Sequence, residues 1–333
     1  MTGATILGCA GPELEADERA FFRDSDPWGF ILFARNVADP AQVSRLTSEL
    51  RAAVGRDAPV FVDQEGGRVQ RLRAPHWREW LPPLDMVRQA GADAARAMRL
   101  RFRLIAAELR AVGIDGNCAP NVDIATAGTH PFLRNRCYGE DPETVIAIAR
   151  EVAAGLLDGG VLPVMKHMPG HGRATLDTHL ELPRVTAAAE VLRASDFAAF
   201  RALADLPLAM TAHIVFTAFD SEPATCSTAM IREIRGGIGF GGLLMTDDLG
   251  MQALSGTLGE RAEAARRAGC DVALHCNGNR TEMEAVVAAA GRFTPQEAAR
   301  AAEALARRRV PEPVDTAALD AEFSALMAGH GNG

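Results

Sequence analysis

Residues 141–167 read DPETVIAIAREVAAGLLDGGVLPVMKH, and this stretch decides the fold. Asp141 can cap the free N–H groups of a helix, Pro142 suits its first turn, and Val145, Ile148, Ala149, Val152 and Leu156 recur on one face. Gly159 and Gly160 then stop it. Residues 162–166 follow as a short apolar run, consistent with a strand buried on both faces. A helix with one apolar stripe leading into such a strand is the half-unit of an α/β fold.

Working outward, the same alternation recurs. Strands are expected at 4–9, 29–33, 60–62, 114–118, 162–166, 208–212, 242–246 and 272–275. Helical patterns fall at 12–23, 40–54, 84–112, 141–158, 187–204, 228–234, 259–268 and about 296–309. Eight strands alternating with helices predict an α/β chain folded as a single-domain (β/α)8 TIM-type barrel over residues 1–327, with 328–333 a frayed tail. A doubly wound open sheet is the alternative, but no GxGxxG follows the first strand.

Composition narrows the function. A net charge of −8 provides no concentrated basic surface and argues against a nucleic-acid partner. Arg96, Arg99, Arg101 and Arg103 lie in a helical pattern and read as a solvated face. Six scattered cysteines read as reduced thiols of a cytoplasmic protein. No apolar run approaches the ~20 residues of a membrane helix. Ile6-Leu7-Gly8-Cys9 resembles a lipoprotein cleavage site but lacks a basic leader, so it reads as the first strand.

Polar residues cluster where strands end: Asp63-Gln64-Glu65 after the third, Lys166-His167 after the fifth, His213 after the sixth, Asp247-Asp248 after the seventh. In a barrel these ends converge on one mouth, where active sites of this fold sit. Asp63 is suited to accept from sugar hydroxyls, and Arg68 or Arg71 to reach an anionic or acetamido group. Arg136, ahead of a capped helix, points to the mouth or braces its loop. KHMPGHGRATLDTHLELP (166–183) permits two readings. His167, His171 and His179 form a metal site, or Lys166 and His167 hold substrate while His179 is an acid/base oriented by Asp177. The absence of an HxH on the first strand, and Lys166 beside His167, favour the dyad with no metal or cofactor. Of Asp247 and Asp248, one faces the axis as a nucleophile and the other anchors the loop.

VDQEGGRVQR, NRCYGEDPE, KHMPGHG, LDTHLELP and TDDLGM, in this order, resemble glycoside hydrolase family 3, within it the bacterial β-N-acetylhexosaminidases of peptidoglycan recycling. The resemblance implies Asp247 as nucleophile, His179 as acid/base and Asp177 as its dyad partner. It also implies Asp63, Arg71, Arg136, Lys166 and His167 as sugar-binding residues. Thr178, Gly250, Cys137 and Met168 depart from the usual family residues without removing a catalytic group. The expected partner is a small-molecule glycan or muropeptide, with no nucleic acid and no membrane, and the expected location is cytoplasmic. The rivals are substrate-assisted hydrolysis, which needs an adjacent Asp-Glu pair at a strand end where only helical Asp17-Glu18 exists, phosphorolysis, and a metal-dependent hydrolase.

Overall fold

The computed structural model describes residues 1–175, 182–311 and 313–328. Eight parallel strands form the barrel: β1 (Gly3–Gly8), β2 (Pro27–Leu32), β3 (Val60–Val62), β4 (Gly116–Asn117), β5 (Leu162–Met168), β6 (Leu208–Thr211), β7 (Leu243–Met245) and β8 (Ala273–His275). Each pairs with the next in sequence, and β8 pairs with β1. Between β7 and β8 the ladder narrows to the parallel bridge of Met245 with Val272, where the Thr246 N–H donates to the Val272 carbonyl at 3.0 Å. The expected barrel is present, with each expected strand in place.

Strand periodicity builds two apolar layers. Ile6, Ile31, Phe61, Val164, Met210 and Leu274 pack into one cluster inside the barrel. Their neighbours Leu7, Phe30, Leu32, Val60, Met165 and Leu244 belong to a second cluster beneath the helices. Successive side chains leave a strand on opposite faces, so both faces must be apolar. Gly116 in β4 sits against the Phe61 ring, and any Cβ there would collide with it.

The helix expected at 141–158 runs Pro142–Asp158, with the Asp141 carboxylate accepting from the Thr144 N–H at 2.8 Å. The helix at 40–54 also lies as expected, over Pro40–Val54. Others need correction. The first begins at Ala16 rather than residue 12, because Gln42 and Asn36 side chains donate to the Pro12 and Gly11 carbonyls and hold that loop extended. The pattern at 84–112 divides into Pro83–Ala90 and Ala94–Ala111 around Gly91, whose φ of 53° breaks the helix. The pattern at 187–204 splits at Ser195, whose hydroxyl with Asp196 receives Arg173 from the loop after β5. The pattern at 228–234 is α-helical over Thr228–Arg232 and then widens into a π-helix over Glu233–Ile238. Among the described residues three α-helices carry no expectation from sequence, Pro131–Arg134, Arg280–Ala290 and Thr316–Ala328; the last sets Phe323 edge-on to Trp80 at 5.5 Å. Residues 329–333 of the expected tail lie outside the described residues.

The arginine run is not one solvated face. Arg96 and Arg99 pair outward with Glu322, Glu151 and Asp158, but Arg101 is fully buried and donates to the Glu65 carbonyl. All six cysteines are unpaired. Among the described residues no helix is long and apolar enough to cross a membrane.

Candidate active site

Beyond β3 the chain turns back at once, Gln64–Gly66 pairing antiparallel with Val69–Gln70. The turn needs Gly66 and Gly67, at φ of 105° and 60°, in the region where a side chain is strained. Gln64 Oε1 accepts from the Arg71 and Leu72 N–H groups at 2.9 and 3.1 Å, bringing Arg71 back over the strand end. There Arg71 donates to Asp63 Oδ2 at 3.1 Å. Arg68, on the turn itself, stacks over the Phe132 ring at 3.4 Å from its centre. Both arginines line the central cavity, and Arg71 is the one paired with Asp63.

Lys166 and His167 lie at the end of β5, and both side chains face that cavity; the peptide between them is cis. Lys166 Nζ donates to Asp63 Oδ1 at 2.8 Å and pairs with Glu65 Oε1 at 2.6 Å. Arg136 grips Glu65 with two nitrogens, at 3.0 and 2.8 Å. These four charged groups and Arg71 alternate in sign, so each desolvated charge has a partner. Burial pushes the Asp63 and Glu65 carboxyls up, but Lys166, Arg71 and Arg136 outweigh it. Asp63 is held well below the usual carboxylate range and Glu65 at about 2.

His167 Nδ1 lies 2.7 Å from Asp123 Oδ2, and a carboxylate only accepts, so this nitrogen carries the proton. Nε2 lies 3.4 Å from a nitrogen of Arg136. Asp123 Oδ1 also accepts from the main-chain N–H groups of His167 and His171, at 3.2 and 2.7 Å. It fixes the whole turn after β5.

Asp247 and Asp248 both border the cavity and differ in what their carboxylates accept from. Asp248 Oδ1 accepts from the Gly250 and Cys276 N–H groups, both at 3.0 Å, and so ties the loops after β7 and β8 together. Asp247 Oδ1 accepts from the Asp248 N–H at 2.8 Å. Its carboxyl is raised by burial but lowered further by His213 and His167, and stays ionised. His213 is buried behind this loop rather than in the cavity wall.

Asp63, Arg71, Arg136, Lys166, His167 and Asp247 all border one cavity of about 340 Å³ at the C-terminal mouth of the barrel. Asp177 and His179 lie outside the described residues. Among the described residues no group of three His, Cys, Asp or Glu side chains is placed to hold a metal. Reading the sequence missed Glu65 and Asp123. Glu65 could have been found from the charge count, since Lys166, Arg71 and Arg136 exceed what Asp63 alone can balance. Nothing in Asn121-Val122-Asp123 marks Asp123, which acts through residues 44 and 48 positions away.

His171 also borders the cavity, and burial followed by His167 pushes it down to about 3 from 6.5. The folded state therefore binds fewer protons than the unfolded chain between those values. Stability is full above pH 6.5 and falls below it by about 1 kcal/mol per pH unit. Urea unfolding at stepped pH values should show a shallower acid slope for His171→Gln than for the wild type; identical slopes would refute this assignment.

The fold is a (β/α)8 barrel with a charged cavity at its C-terminal mouth, and the comparisons make it a glycoside hydrolase. The chain belongs to glycosyl hydrolase family 3: residues 9–307 match the N-terminal domain of that family. A beta-hexosaminidase of Alkalilimnicola ehrlichii is 40% identical over 286 residues, covering 83% of this chain and 81% of that protein. One from Tolumonas auensis is 38% identical over 291 residues, 86% of each. Among solved structures, NagZ from Neisseria gonorrhoeae in complex with N-trifluoroacetyl-D-glucosamine superposes with a TM-score of 0.84 at 30% identity, covering 99% of this chain and 97% of that one. A family 3 β-N-acetylglucosaminidase from Paenibacillus gives 0.86 at 29% identity, covering 97% of this chain and 67% of that one.

Proposed function

We propose that this chain is a retaining exo-β-N-acetylglucosaminidase that removes terminal non-reducing N-acetylglucosamine from cell-wall fragments of the 1,6-anhydro-muropeptide type in the cytoplasm. The observation that carries the reading is the ionised Asp247 carboxylate, facing a cavity that Asp63, Lys166, Arg136 and His167 furnish with fixed donors and acceptors. Asp247 attacks the anomeric carbon as the glycosidic C–O bond breaks, and His179 gives its proton to the departing oxygen. His179, now neutral, takes a proton from water, whose oxygen displaces the Asp247 carboxylate from that carbon. Two displacements return the original configuration. Asp177 keeps the imidazole in one tautomer and stabilises its charged form.

Several features support the sugar and the leaving group. The hexosaminidase relatives and the N-acyl glucosamine ligand of the Neisseria structure favour an acetamido sugar. Arg35 and Arg68 on the cavity wall suit an acidic aglycone such as the carboxylates of a muropeptide. His171 borders the cavity eight residues before His179, so a short segment separates the proposed acid/base from the wall.

The decisive assay compares p-nitrophenyl N-acetyl-β-D-glucosaminide with the matching β-glucoside, following the product anomer by NMR, with and without phosphate. Preference for the acetamido sugar, β-anomer first and no sugar phosphate are expected. Equal cleavage of the glucoside would remove the recycling role, and a sugar 1-phosphate would make the enzyme a phosphorylase. His179→Ala should lose roughly 10²–10⁴-fold in turnover on a natural disaccharide, and less on p-nitrophenyl substrates, whose leaving group needs little protonation. An equal loss on both would argue against His179 as the acid.

A further inference from the structure

His213 is fully buried at the end of β6, borders no part of the cavity, and yet has both ring nitrogens engaged. Nε2 lies 3.0 Å from the main-chain carbonyl oxygen of Asp248, and Nδ1 lies 2.8 Å from Thr225 Oγ1. A carbonyl oxygen can only accept, so Nε2 carries a proton. Burial lowers the affinity of His213 for a second proton. Nδ1 faces the Thr225 hydroxyl, which also lies 2.8 Å from Thr211 Oγ1 and 3.1 Å from the Ala212 carbonyl. The Asp248 carbonyl thus places a proton on Nε2, and that N–H is aimed at Asp248.

That carbonyl belongs to the residue whose N–H donates to Asp247 Oδ1 at 2.8 Å. It also accepts from the Met251 N–H at 3.1 Å, so the loop is held on both sides. We infer that His213 is a positioning residue for the nucleophile: its Nε2–H fixes the Asp248 carbonyl and so the backbone of Asp248, whose N–H, on the preceding peptide, orients the Asp247 carboxylate toward the anomeric carbon. The inference rests on Asp247 acting as proposed above. It assigns His213 no contact with the sugar, which Asp63 and Lys166 are proposed to hold from the opposite part of the mouth.

Side-chain reach makes the test specific. A glutamine amide nitrogen falls near the position of Nε2, whereas an asparagine amide falls near Nδ1 and cannot reach Asp248. His213→Asn and His213→Leu should lower kcat at least tenfold with KM within about twofold of the wild type. His213→Gln should recover most of the kcat. Equal kcat in the Gln and Asn variants, or KM rising in step with the loss, would overturn the inference. The rate of adduct formation on Asp247 with 5-fluoro-N-acetylglucosaminyl fluoride, read by mass spectrometry, should follow the same order. If the wild type labels elsewhere or not at all, the proposed function fails. If it labels at Asp247 and every variant labels as fast, only the role of His213 fails. Should the variants not fold, ¹⁵N-histidine NMR of the wild type decides: a proton on Nε2 alone is expected, and one on Nδ1 overturns it.

Discussion

Replacing Asp247 by asparagine should abolish turnover, by on the order of 10⁴-fold or more, and leave the fold intact. The amide keeps an oxygen that can accept the Asp248 N–H, so the loop retains its 2.8 Å hydrogen bond. The histidines beside Asp247 outweigh the desolvation of its charge, so losing that charge should lower Tm only slightly. What the amide cannot do is form an ester with the anomeric carbon. Asp247→Ala adds a positive readout, because azide can enter the vacated space and attack from the same face. The expected product is the α-glycosyl azide, identified by its anomeric NMR coupling. An Asp247→Asn enzyme retaining even a few per cent of wild-type turnover, with deamidation excluded, would remove Asp247 from the mechanism. Asp248→Ala should behave differently. Its oxygen ties main-chain N–H groups of two loops, so the loss should appear in Tm as well as in rate.

Lys166→Met should cost stability and substrate binding together. Its ammonium, almost wholly buried, is shared between Asp63 and Glu65, and methionine leaves those carboxylates with less than their counter-charge. Breaking a buried ionic set from one side costs about 3–5 kcal/mol, since the remaining charges stay desolvated. A fall of roughly 5–10 °C in Tm follows, with KM for the acetamido substrate raised at least tenfold. Arg136 and Arg71 stay bound to Glu65 and Asp63, so the protein should still fold. In a double-mutant cycle, Asp63→Asn with Lys166→Met should cost less than the sum of the two, because the uncompensated charge is removed. Strict additivity would show that Lys166 and Asp63 do not depend on each other.

The barrel was legible because its cause is local. Each strand is a short run apolar on both faces, and the helix at Pro142–Asp158 announces its start and stop through Asp141 and Gly159. The misread helices had long-range causes. Residues 12–15 lie in a helical pattern but are held out of helix by Asn36 and Gln42, from a segment well along the chain. Arg101 carries the pattern of an exposed residue but turns inward beneath the Glu65 carbonyl. Propensity is a weak prior where a distant side chain satisfies the backbone instead.

By itself, the sequence determined the eight-strand alternation, the polar strand ends and the residue types available for chemistry. Those depend on periodicity and on residue identity, which are properties of the chain. Only the tertiary structure decided which arginine meets Asp63, that Glu65 completes the charge set, and that Asp123 fixes the turn carrying His167. It also decided that Asp248, though it borders the cavity with Asp247, is the one tied to two loops, and that His213 holds the Asp248 carbonyl from behind. Most of these are pairings between residues that follow different strands. The barrel closes to bring such ends within 3 Å or so of each other, and charge balance in a desolvated space then selects the partners.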